Sequence, residues 1–541
     1  MPREIGIWSY KLRDWQDECF RLVVNAFTNG KKDFLANVTP AGGKTTFALR
    51  TAFRFLQLRD VQRIVVVVHT EHLKKQWALS AARFGIDLDP NFQNNGKVKE
   101  TADYHGVCIT YQQIGLNSVL HRYAVDNYKT LVIFDEIHHA GDEKSWGTGI
   151  QTAFENAVFR LSLTGTAFRS DNNPIPFVTY EGGISKPDYR YSYAKAITDK
   201  VCRIIYFPAY DGVMEWKYEG KSYKHNFADE VTDSLVSQRL RTALDPNSSK
   251  WLEHVLRDAN EKLEEIREKE GHPDAGGLIF AMDQQHAKDI AKLLIRICDE
   301  TAAIVISEDK FASRRIKKFA ESKKKWIIAV KMISEGVDIP RLRVGVYATN
   351  VKKDLFFRQA VGRFIRWTQS LSKQDAYLFI PKDRDIVKLA REIEIERDHA
   401  LNQQEFENES TEQNEREQKD FEAISAKVTG KTQFALSLNE RIANMFSAPA
   451  ESVTTITEAV IEKREEEQQQ PAKAVFERME ELRAEINIKA KLAAKKKFAG
   501  NGRIDWDYFH RVWINEKGGK KIELETIPEL ERRSKWLDNW M

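Results

Sequence analysis

A short glycine-containing segment carries the residues with the clearest chemical potential. It follows an apolar run, Phe34–Val38, and reads Thr-Pro-Ala-Gly-Gly-Lys-Thr-Thr from position 39 to position 46. Small residues let backbone N–H groups curl around a phosphate, and the N-terminus of a following helix adds partial positive charge. Lys44 is then placed to reach the β- and γ-phosphates, and the Thr45 hydroxyl to hold Mg²⁺. The predicted phosphate-binding residues are Pro40, Ala41, Gly42, Gly43, Lys44, Thr45 and Thr46.

This segment departs from the common phosphate-loop pattern at two points. Val38 stands where the first glycine usually lies, and Ala41 and Gly42 are exchanged relative to the more usual order Thr-Pro-Gly-Ala-Gly-Lys. Both changes concern the shape of the backbone cradle. Neither affects Lys44 or Thr45.

Two adjacent carboxylates form the second candidate site. Asp135 and Glu136 directly follow the apolar run Leu131–Phe134, which predicts that they lie at the C-terminal tip of a buried strand. A carboxylate at such a tip, near a phosphate loop, is placed to hold Mg²⁺ through water. The second carboxylate can orient or deprotonate the attacking water. We therefore predict that Asp135 binds the metal and that Glu136 is catalytic.

Two arginines later in the chain form the third candidate. Arg363 and Arg366 are three residues apart, a spacing that predicts a shared helical face. Paired guanidinium groups suit a polyanion, and an arginine can stabilise the charge that develops on a transferring phosphoryl group.

The elements that must position these residues follow one pattern, repeated twice. Short, mostly β-branched apolar runs alternate with helical stretches such as Thr45–Gln57 and Glu71–Arg83. Continuous apolarity indicates strands covered on both faces, as in a parallel sheet. The sequence predicts an α/β fold with two tandem parallel-sheet domains and a mainly helical C-terminal region. The predicted boundaries are 1–185, 186–385, a charged and Gln-rich helical or flexible connector at 386–471, and a basic-aromatic helical domain at 472–541.

Composition removes several classes of protein. The 541 residues include 84 Lys and Arg against 80 Asp and Glu, so the net charge of +4 neither requires nor excludes a polyanionic partner. The four cysteines lie far apart and predict neither disulfides nor a zinc site. No apolar run approaches the length of a membrane span, and no signal peptide is recognised at the N-terminus, so we expect a cytoplasmic protein without membrane partners.

The ordered set of motifs resembles superfamily 2 nucleic-acid helicases and translocases. The most similar groups are the helicase subunits of restriction enzymes and phage-type DEAD/DEAH-box proteins. The resemblance covers about residues 8–385 and rests on nine segments in the expected order. They are Leu12–Gln16, Thr39–Thr46, Val67–Trp77, Ile109–Gln112, Asp135–His138, Leu163–Ala167, Leu278–Phe280, Ile333–Pro340 and Gln359–Arg366.

The resemblance implies two RecA-like domains, with ATP and Mg²⁺ bound in the cleft between them and closure of the cleft driving movement along nucleic acid. It implies that Gln16 reads the adenine base and that Arg13 also binds the nucleotide. It also implies nucleotide contacts from Gly336 and Asp338, together with Arg363 and Arg366. Thr70, Thr110 and Ser334 would contact nucleic acid, and Thr164, Thr166 and Gln359 would couple hydrolysis to domain movement.

The C-terminal tail leaves two interpretations open. Between Ile486 and Ile522 there are ten basic and three acidic residues, interleaved with aromatics such as Trp506 and Trp513. The tail is either a nucleic-acid grip or a small helical domain with inward aromatics and solvated lysines.

The leading function is a nucleic-acid-dependent ATPase that translocates on or unwinds DNA. The alternatives are an RNA helicase, the motor subunit of a restriction or anti-phage defence complex, and a non-catalytic nucleic-acid clamp. The presence of Lys44, Asp135, Glu136 and Arg363 argues against the clamp. The motor subunit would need a partner nuclease, because the sequence contains no convincing nuclease site. DNA is favoured over RNA as the nucleic-acid partner.

Overall fold

The computed structural model describes residues 5, 7–94, 103–141, 144–165, 174–218, 220–306, 312–330, 339–368, 371, 373–412, 474–498 and 504–541. These residues form two compact units. One comprises the described parts of Met1–Asn37, Gly43–Arg190 and Val453–Met541, and the other those of Val38–Gly42 and Tyr191–Ser452.

The first unit is built around a seven-stranded sheet. Its helices are α1 (Asp14–Thr28), α2 (Lys44–Gln57), α3 (Glu71–Ala82), α4 (Tyr111–Leu116), α5 (Ser118–Asn127) and α6 (Lys144–Phe154). Its strands are β1 (Asp33–Val38), β2 (Arg63–Val68), β3 (Leu88–Asp89), β4 (Gly106–Thr110), β5 (Thr130–Phe134), β6 (Phe159–Thr164), β7 (Tyr180–Glu181), β8 (Ile184–Ser185) and β9 (Tyr189–Tyr191). The sheet order is β3-β4-β2-β5-β6-β1-β9, while β7 and β8 form a separate hairpin.

The pairings from β3 to β1 in this sheet are parallel. Every residue of β2, β4, β5 and β6 is buried, because helices cover both faces of the sheet. The C-terminal ends of parallel strands meet at one edge, so the segments that follow β1, β2, β4 and β5 share that edge.

The second unit contains another seven-stranded sheet. Its helices are α7 (Tyr193–Thr198), α8 (Asp233–Leu244), α9 (Lys250–Lys269), α10 (Gln284–Cys298), α11 (Ala312–Ala320), α12 (Asp354–Val361) and α13 (Arg384–Glu412). Its strands are β10 (Ile205–Tyr206), β11 (Ala209–Tyr210), β12 (Val213–Tyr218), β13 (Lys221–Asn226), β14 (Gly276–Ala281), β15 (Ala302–Ile306), β16 (Trp326–Val330), β17 (Leu342–Ala348) and β18 (Ala376–Pro381). The order β10-β18-β17-β14-β16-β15, with β11 also on β18, is parallel throughout, and β12 and β13 form a hairpin.

The C-terminal helices are α14 (Val475–Lys497), α15 (Tyr508–Glu516) and α16 (Ile527–Asp538). They share an apolar core that includes Met479, Phe509 and Leu530, and Tyr104 of the first sheet's connections packs against it. The Tyr104 hydroxyl lies 3.1 Å from Met479 Sδ, and the Ile527 N–H donates to Asp103 at 3.3 Å. The helical C-terminal module is therefore part of the first unit.

The predicted fold class, two parallel-sheet α/β domains with a helical C-terminal region, is confirmed. Among the helices of the described ranges, none combines the length and apolar character that crossing a membrane requires.

Candidate nucleotide site

The glycine-containing loop joins β1 to α2 as the sequence predicts. The Gly42 N–H donates to the Thr39 carbonyl at 3.0 Å, which closes a tight turn. Ala41 takes a left-handed backbone (φ 63°) inside that turn, at the position where the more usual order has glycine. A Cβ on Gly42 would lie 2.7 Å from Val38 Cγ1, so the exchanged order keeps glycine where the chain is crowded and leaves the backbone strain on alanine.

Gly43 is the N-cap of α2, and Arg13 and Gln16 lie against it. Its φ of 101° favours glycine, and a Cβ there would lie 2.9 Å from Gln16 Nε2 and 3.1 Å from Arg13 Nη1. The Gln16 amide donates to the Gly43 carbonyl at 3.0 Å, and its Oε1 accepts from the Arg13 N–H at 2.9 Å. The structure thus brings the predicted adenine-contacting residues to the loop. Gln16 is 2 % exposed and in this structure holds the loop itself.

Lys44 and Glu136 form an ion pair at the C-terminal edge of the sheet. Lys44 Nζ donates to Glu136 Oε1, and Glu136 Oε2 accepts from the Gly165 N–H at 3.0 Å. The two side chains are only 13 % and 21 % exposed, respectively. The predicted phosphate-binding lysine and the predicted catalytic carboxylate are therefore in direct contact.

The electrostatics of Glu136 follow from this contact. Burial by itself raises the pKa of Glu136, but the Lys44 ammonium, the neighbouring His138 and the hydrogen bonds from Lys44 and Gly165 lower the pKa below its usual value. Glu136 is thus ionised at neutral pH. His138 Nδ1 also lies 3.3 Å from the hydroxyl of Thr164, the last residue of β6, which connects the predicted coupling residue to the segment after β5.

Asp135 is held by contacts that the sequence patterns did not single out. The Trp77 indole Nε1 donates to Asp135 Oδ2 at 2.8 Å, and the Tyr111 hydroxyl donates to the Asp135 carbonyl at 3.0 Å. The motifs contained both aromatic residues but assigned neither a role. Trp77 is 2 % exposed and Tyr111 is fully buried, and large aromatic residues are common in protein cores, so their residue types alone did not indicate a role at the site.

The residues present fit a nucleoside triphosphate with Mg²⁺. The hydroxyl of Thr45 and the carboxylate of Asp135 are oxygen ligands of the kind Mg²⁺ prefers. Within the described ranges, no group of three or more His, Cys, Asp or Glu residues is arranged to hold a metal by itself. A Mg²⁺ ion here would depend on phosphates and water for its remaining ligands, which is usual for this ion.

The predicted helical face shared by Arg363 and Arg366 is wrong. Helix α12 ends at Val361, and the next residues form tight turns, with the Phe364 N–H donating to the Val361 carbonyl at 2.9 Å. Arg366 lies in an antiparallel bridge with Cys202. Both arginines therefore lie beyond the end of the helix, and Phe364 between them is fully buried.

The other predicted residues fall into two groups. Thr70 and Thr110 are the N-caps of α3 and α4, but the Thr110 hydroxyl accepts from the Gln113 N–H at 3.1 Å and the residue is only 4 % exposed. Gln359 lies on α12. The residues Thr166, Ser334, Gly336 and Asp338 lie outside the described residues. The nucleic-acid contacts stay predictions.

Several basic residues of the C-terminal tail form contacts within the tail itself. Lys489 pairs with Glu485 at 2.8 Å and with Asp538 at 2.5 Å. Lys497 lies over the rings of Tyr508 and Trp540, at 4.9 and 5.2 Å from the ring centres. These contacts favour the interpretation of a small helical domain, because they stabilise the module itself.

Known proteins similar to this chain give a consistent result. Residues 9–169 match the family model described as "Type III restriction enzyme, res subunit". An uncharacterised protein of Mycobacterium tuberculosis is 44 % identical over 397 residues, covering 72 % of this chain and 64 % of that protein. The chain therefore spans somewhat less than two thirds of the length of this relative.

Two further similarities are more distant. A protein of Sulfurisphaera tokodaii named DNA 3'-5' translocase XPB2 is 24 % identical over 379 residues, covering 66 % of this chain and 79 % of that protein. A fragment of a putative HsdR subunit of a type I restriction enzyme from Vibrio vulnificus YJ016 has a TM-score of 0.50 at 19 % identity, covering 71 % of this chain and 66 % of that chain, and this likeness shows the fold. The predicted resemblance to superfamily 2 helicases and restriction-enzyme helicase subunits is confirmed.

Proposed function

We propose that this chain is an ATP-dependent helicase or translocase that acts on DNA. The observation that carries the proposal is the direct contact between Lys44 and Glu136, because it brings a phosphate-binding lysine and a candidate general base to one edge of a parallel sheet. The named relatives support the same class of motor.

The glycine-containing loop and the described residues around it would bind ATP. Backbone N–H groups of the loop and the N-terminus of α2 receive the phosphates, and Lys44 neutralises part of their charge. Arg13 and Gln16 contact the base. Thr45 and Asp135 would hold Mg²⁺, which when bound neutralises charge on the phosphates and orients them.

An exchange at Lys44 links binding to catalysis. In this structure the ammonium is engaged by Glu136, so an ATP phosphate that takes Lys44 releases the carboxylate. The released Glu136 can then orient the attacking water and accept its proton. Before the exchange Glu136 is ionised at neutral pH, because contacts that include Lys44 lower its pKa, so the carboxylate enters the exchange without a proton and able to accept one.

The remaining roles rest on motif order. We propose that Arg363 and Arg366 stabilise the charge of the transferred phosphoryl group, and that Gly336 and Asp338 contact the nucleotide. Thr70, Thr110 and Ser334 would contact the DNA backbone with little base specificity, while Thr164, Thr166 and Gln359 would couple hydrolysis to movement.

ATP hydrolysis measured in parallel with single-stranded DNA, duplex DNA, forked DNA and RNA tests this function. We expect DNA to stimulate turnover, and the Lys44→Ala variant to lack turnover with every polymer. Stimulation by RNA alone would establish the alternative of an RNA helicase. Equal turnover with and without any polymer would overturn the motor proposal.

A second candidate is the motor subunit of a restriction or anti-phage defence complex. The family model matched by residues 9–169 and the HsdR-like structure both concern restriction-enzyme subunits. A nuclease partner would then supply DNA cleavage. If the chain alone translocates but leaves supercoiled plasmid uncut in the presence of ATP and Mg²⁺, this candidate stands, whereas cutting by the purified chain alone would remove the need for a nuclease partner.

A further inference from the structure

Trp77 connects α3 to the carboxylate of Asp135. Its indole Nε1 donates to Asp135 Oδ2 at 2.8 Å, although the two residues are 58 positions apart in the chain. The side chain is 2 % exposed, so water does not compete freely for this hydrogen bond. A single donor on a rigid ring fixes its partner more precisely than a flexible polar side chain does.

The arrangement follows from the order of the strands. Strands β2 and β5 are parallel neighbours, α3 follows β2, and Asp135 follows β5. The Asp135 N–H donates to the Val67 carbonyl at 2.9 Å, and its own carbonyl accepts from Tyr111 Oη at 3.0 Å. Both backbone polar groups of Asp135 are therefore fixed, and Trp77 acts on the side chain.

We propose that Trp77 is a positioning residue for Asp135, holding its carboxylate in the orientation required to bind Mg²⁺ at the nucleotide. The inference rests on the proposed function, since it presumes that Asp135 serves the metal. In this role Trp77 contacts neither the nucleotide nor the metal and acts only through Asp135. An Asp135 side chain without the indole donor has more rotational freedom, which must be lost when the metal binds.

The Trp77→Phe variant tests this proposal, because phenylalanine keeps an aromatic ring and removes the N–H donor. Trp326→Phe is the matched control: Trp326 is fully buried in the second unit, and its indole donates to Asn260 Oδ1 at 2.9 Å. Both variants lose one buried indole hydrogen bond. Only one of these bonds reaches the proposed metal site.

The readout is Mn²⁺ binding to the protein–ADP complex, measured by electron paramagnetic resonance of free Mn²⁺. We expect about tenfold weaker Mn²⁺ binding in Trp77→Phe and no change in Trp326→Phe. Binding of a fluorescent ADP analogue in EDTA should be equal in all three proteins, and it also measures the fraction of each sample with a folded nucleotide site. The Mn²⁺ affinities are calculated from the concentration of this folded fraction before the three proteins are compared.

A second variant separates the hydrogen bond from packing. Trp77→His keeps a ring N–H donor in a smaller ring, and we expect its Mn²⁺ affinity to lie between those of Trp77→Phe and the unaltered protein. Unchanged Mn²⁺ binding in Trp77→Phe would overturn the positioning role. Failure of the unaltered protein to bind the ADP analogue in EDTA would instead contradict the proposed function.

Discussion

The Glu136→Gln variant should bind ATP more tightly than the unaltered protein, but it should hydrolyse almost no ATP. Glutamine has almost the same shape and can still accept a hydrogen bond from the Gly165 N–H, but it carries no charge. Lys44 is then held less strongly by its neighbour and is more readily taken by a phosphate. The carboxylate's repulsion of the triphosphate is lost as well.

The size of the effect follows from the burial of the pair. An exposed ion pair contributes about 0–1 kcal/mol, and a hydrogen bond to a charged group about 1.5–3 kcal/mol. Lys44 and Glu136 are 13 % and 21 % exposed, which places the pair between these cases. We therefore take about 1.5 kcal/mol for the Lys44–Glu136 interaction, and its loss corresponds to roughly tenfold tighter ATP binding. Loss of the general base should lower the turnover number by about 10²–10⁴-fold.

Isothermal titration calorimetry with ATP and a steady-state phosphate-release assay measure the two effects. Glu155→Gln is the control, because Glu155 also forms an ion pair, at 3.3 Å with Arg122, but on the exposed surface. It should leave both quantities unchanged. ATP affinity that is unchanged or weaker in Glu136→Gln would refute the idea that Glu136 competes with the phosphates for Lys44.

Four further outcomes are expected. Lys44→Ala should abolish ATP turnover while the circular dichroism spectrum stays unchanged, and normal turnover would remove the phosphate-loop assignment. Arg363→Ala should leave ATP affinity nearly intact but lower the turnover number by about 10³-fold, because such an arginine acts mainly on the transition state, so a purely affinity-based defect would contradict the assignment. Ala41→Gly should raise the free energy of unfolding in urea by up to about 1 kcal/mol, since left-handed backbone costs alanine more than glycine. Gly30→Ala is the control, because Gly30 has φ 77° and open space around a new Cβ, so this change should lower the free energy of unfolding by a similar amount. A loss of stability in Ala41→Gly would show that Ala41 is not strained. Burial, followed by the charge of Arg63, lowers the pKa of His121 to about 4. Between about pH 6.5 and pH 4 the unfolded chain therefore binds a proton at His121 that the folded chain does not. The free energy of unfolding should fall as the pH drops through this range, by up to about 1.4 kcal/mol per pH unit from this group. Urea midpoints between pH 7 and pH 5 should show a shallower slope in His121→Gln, and an identical slope would assign the acid sensitivity to other groups.

Much of the first sheet could be predicted from local sequence. The apolar run Phe34–Val38 lies within β1, and Leu131–Phe134 lies within β5. Strands buried on both faces need apolar residues at every position, and that requirement is visible without knowledge of their neighbours. The loop before Lys44 could also be predicted from local sequence, because a tight turn around a phosphate requires small residues.

The arginine pair shows where local spacing fails. Residues three positions apart share a helical face only where the chain is helical. Helix α12 ends at Val361, before Arg363. Burial of Phe364 and Ile365 decides the path of the chain there, and burial depends on the rest of the second unit. Likewise, the lysines and aromatics of the tail are compatible in sequence with a grip on nucleic acid, yet Phe509 is 1 % exposed and lies in the module's own core.

Local sequence is enough to identify the reactive groups and to place Lys44, Asp135 and Glu136 after buried strands. It does not identify the partners of these groups, which depend on the fold: Glu136 for Lys44, Trp77 for Asp135, and Gly43 for Gln16. These pairs are separated by 92, 58 and 27 positions, respectively. Contacts over such distances depend on the lateral order of strands and the packing of helices, which the periodicity of a single segment does not encode.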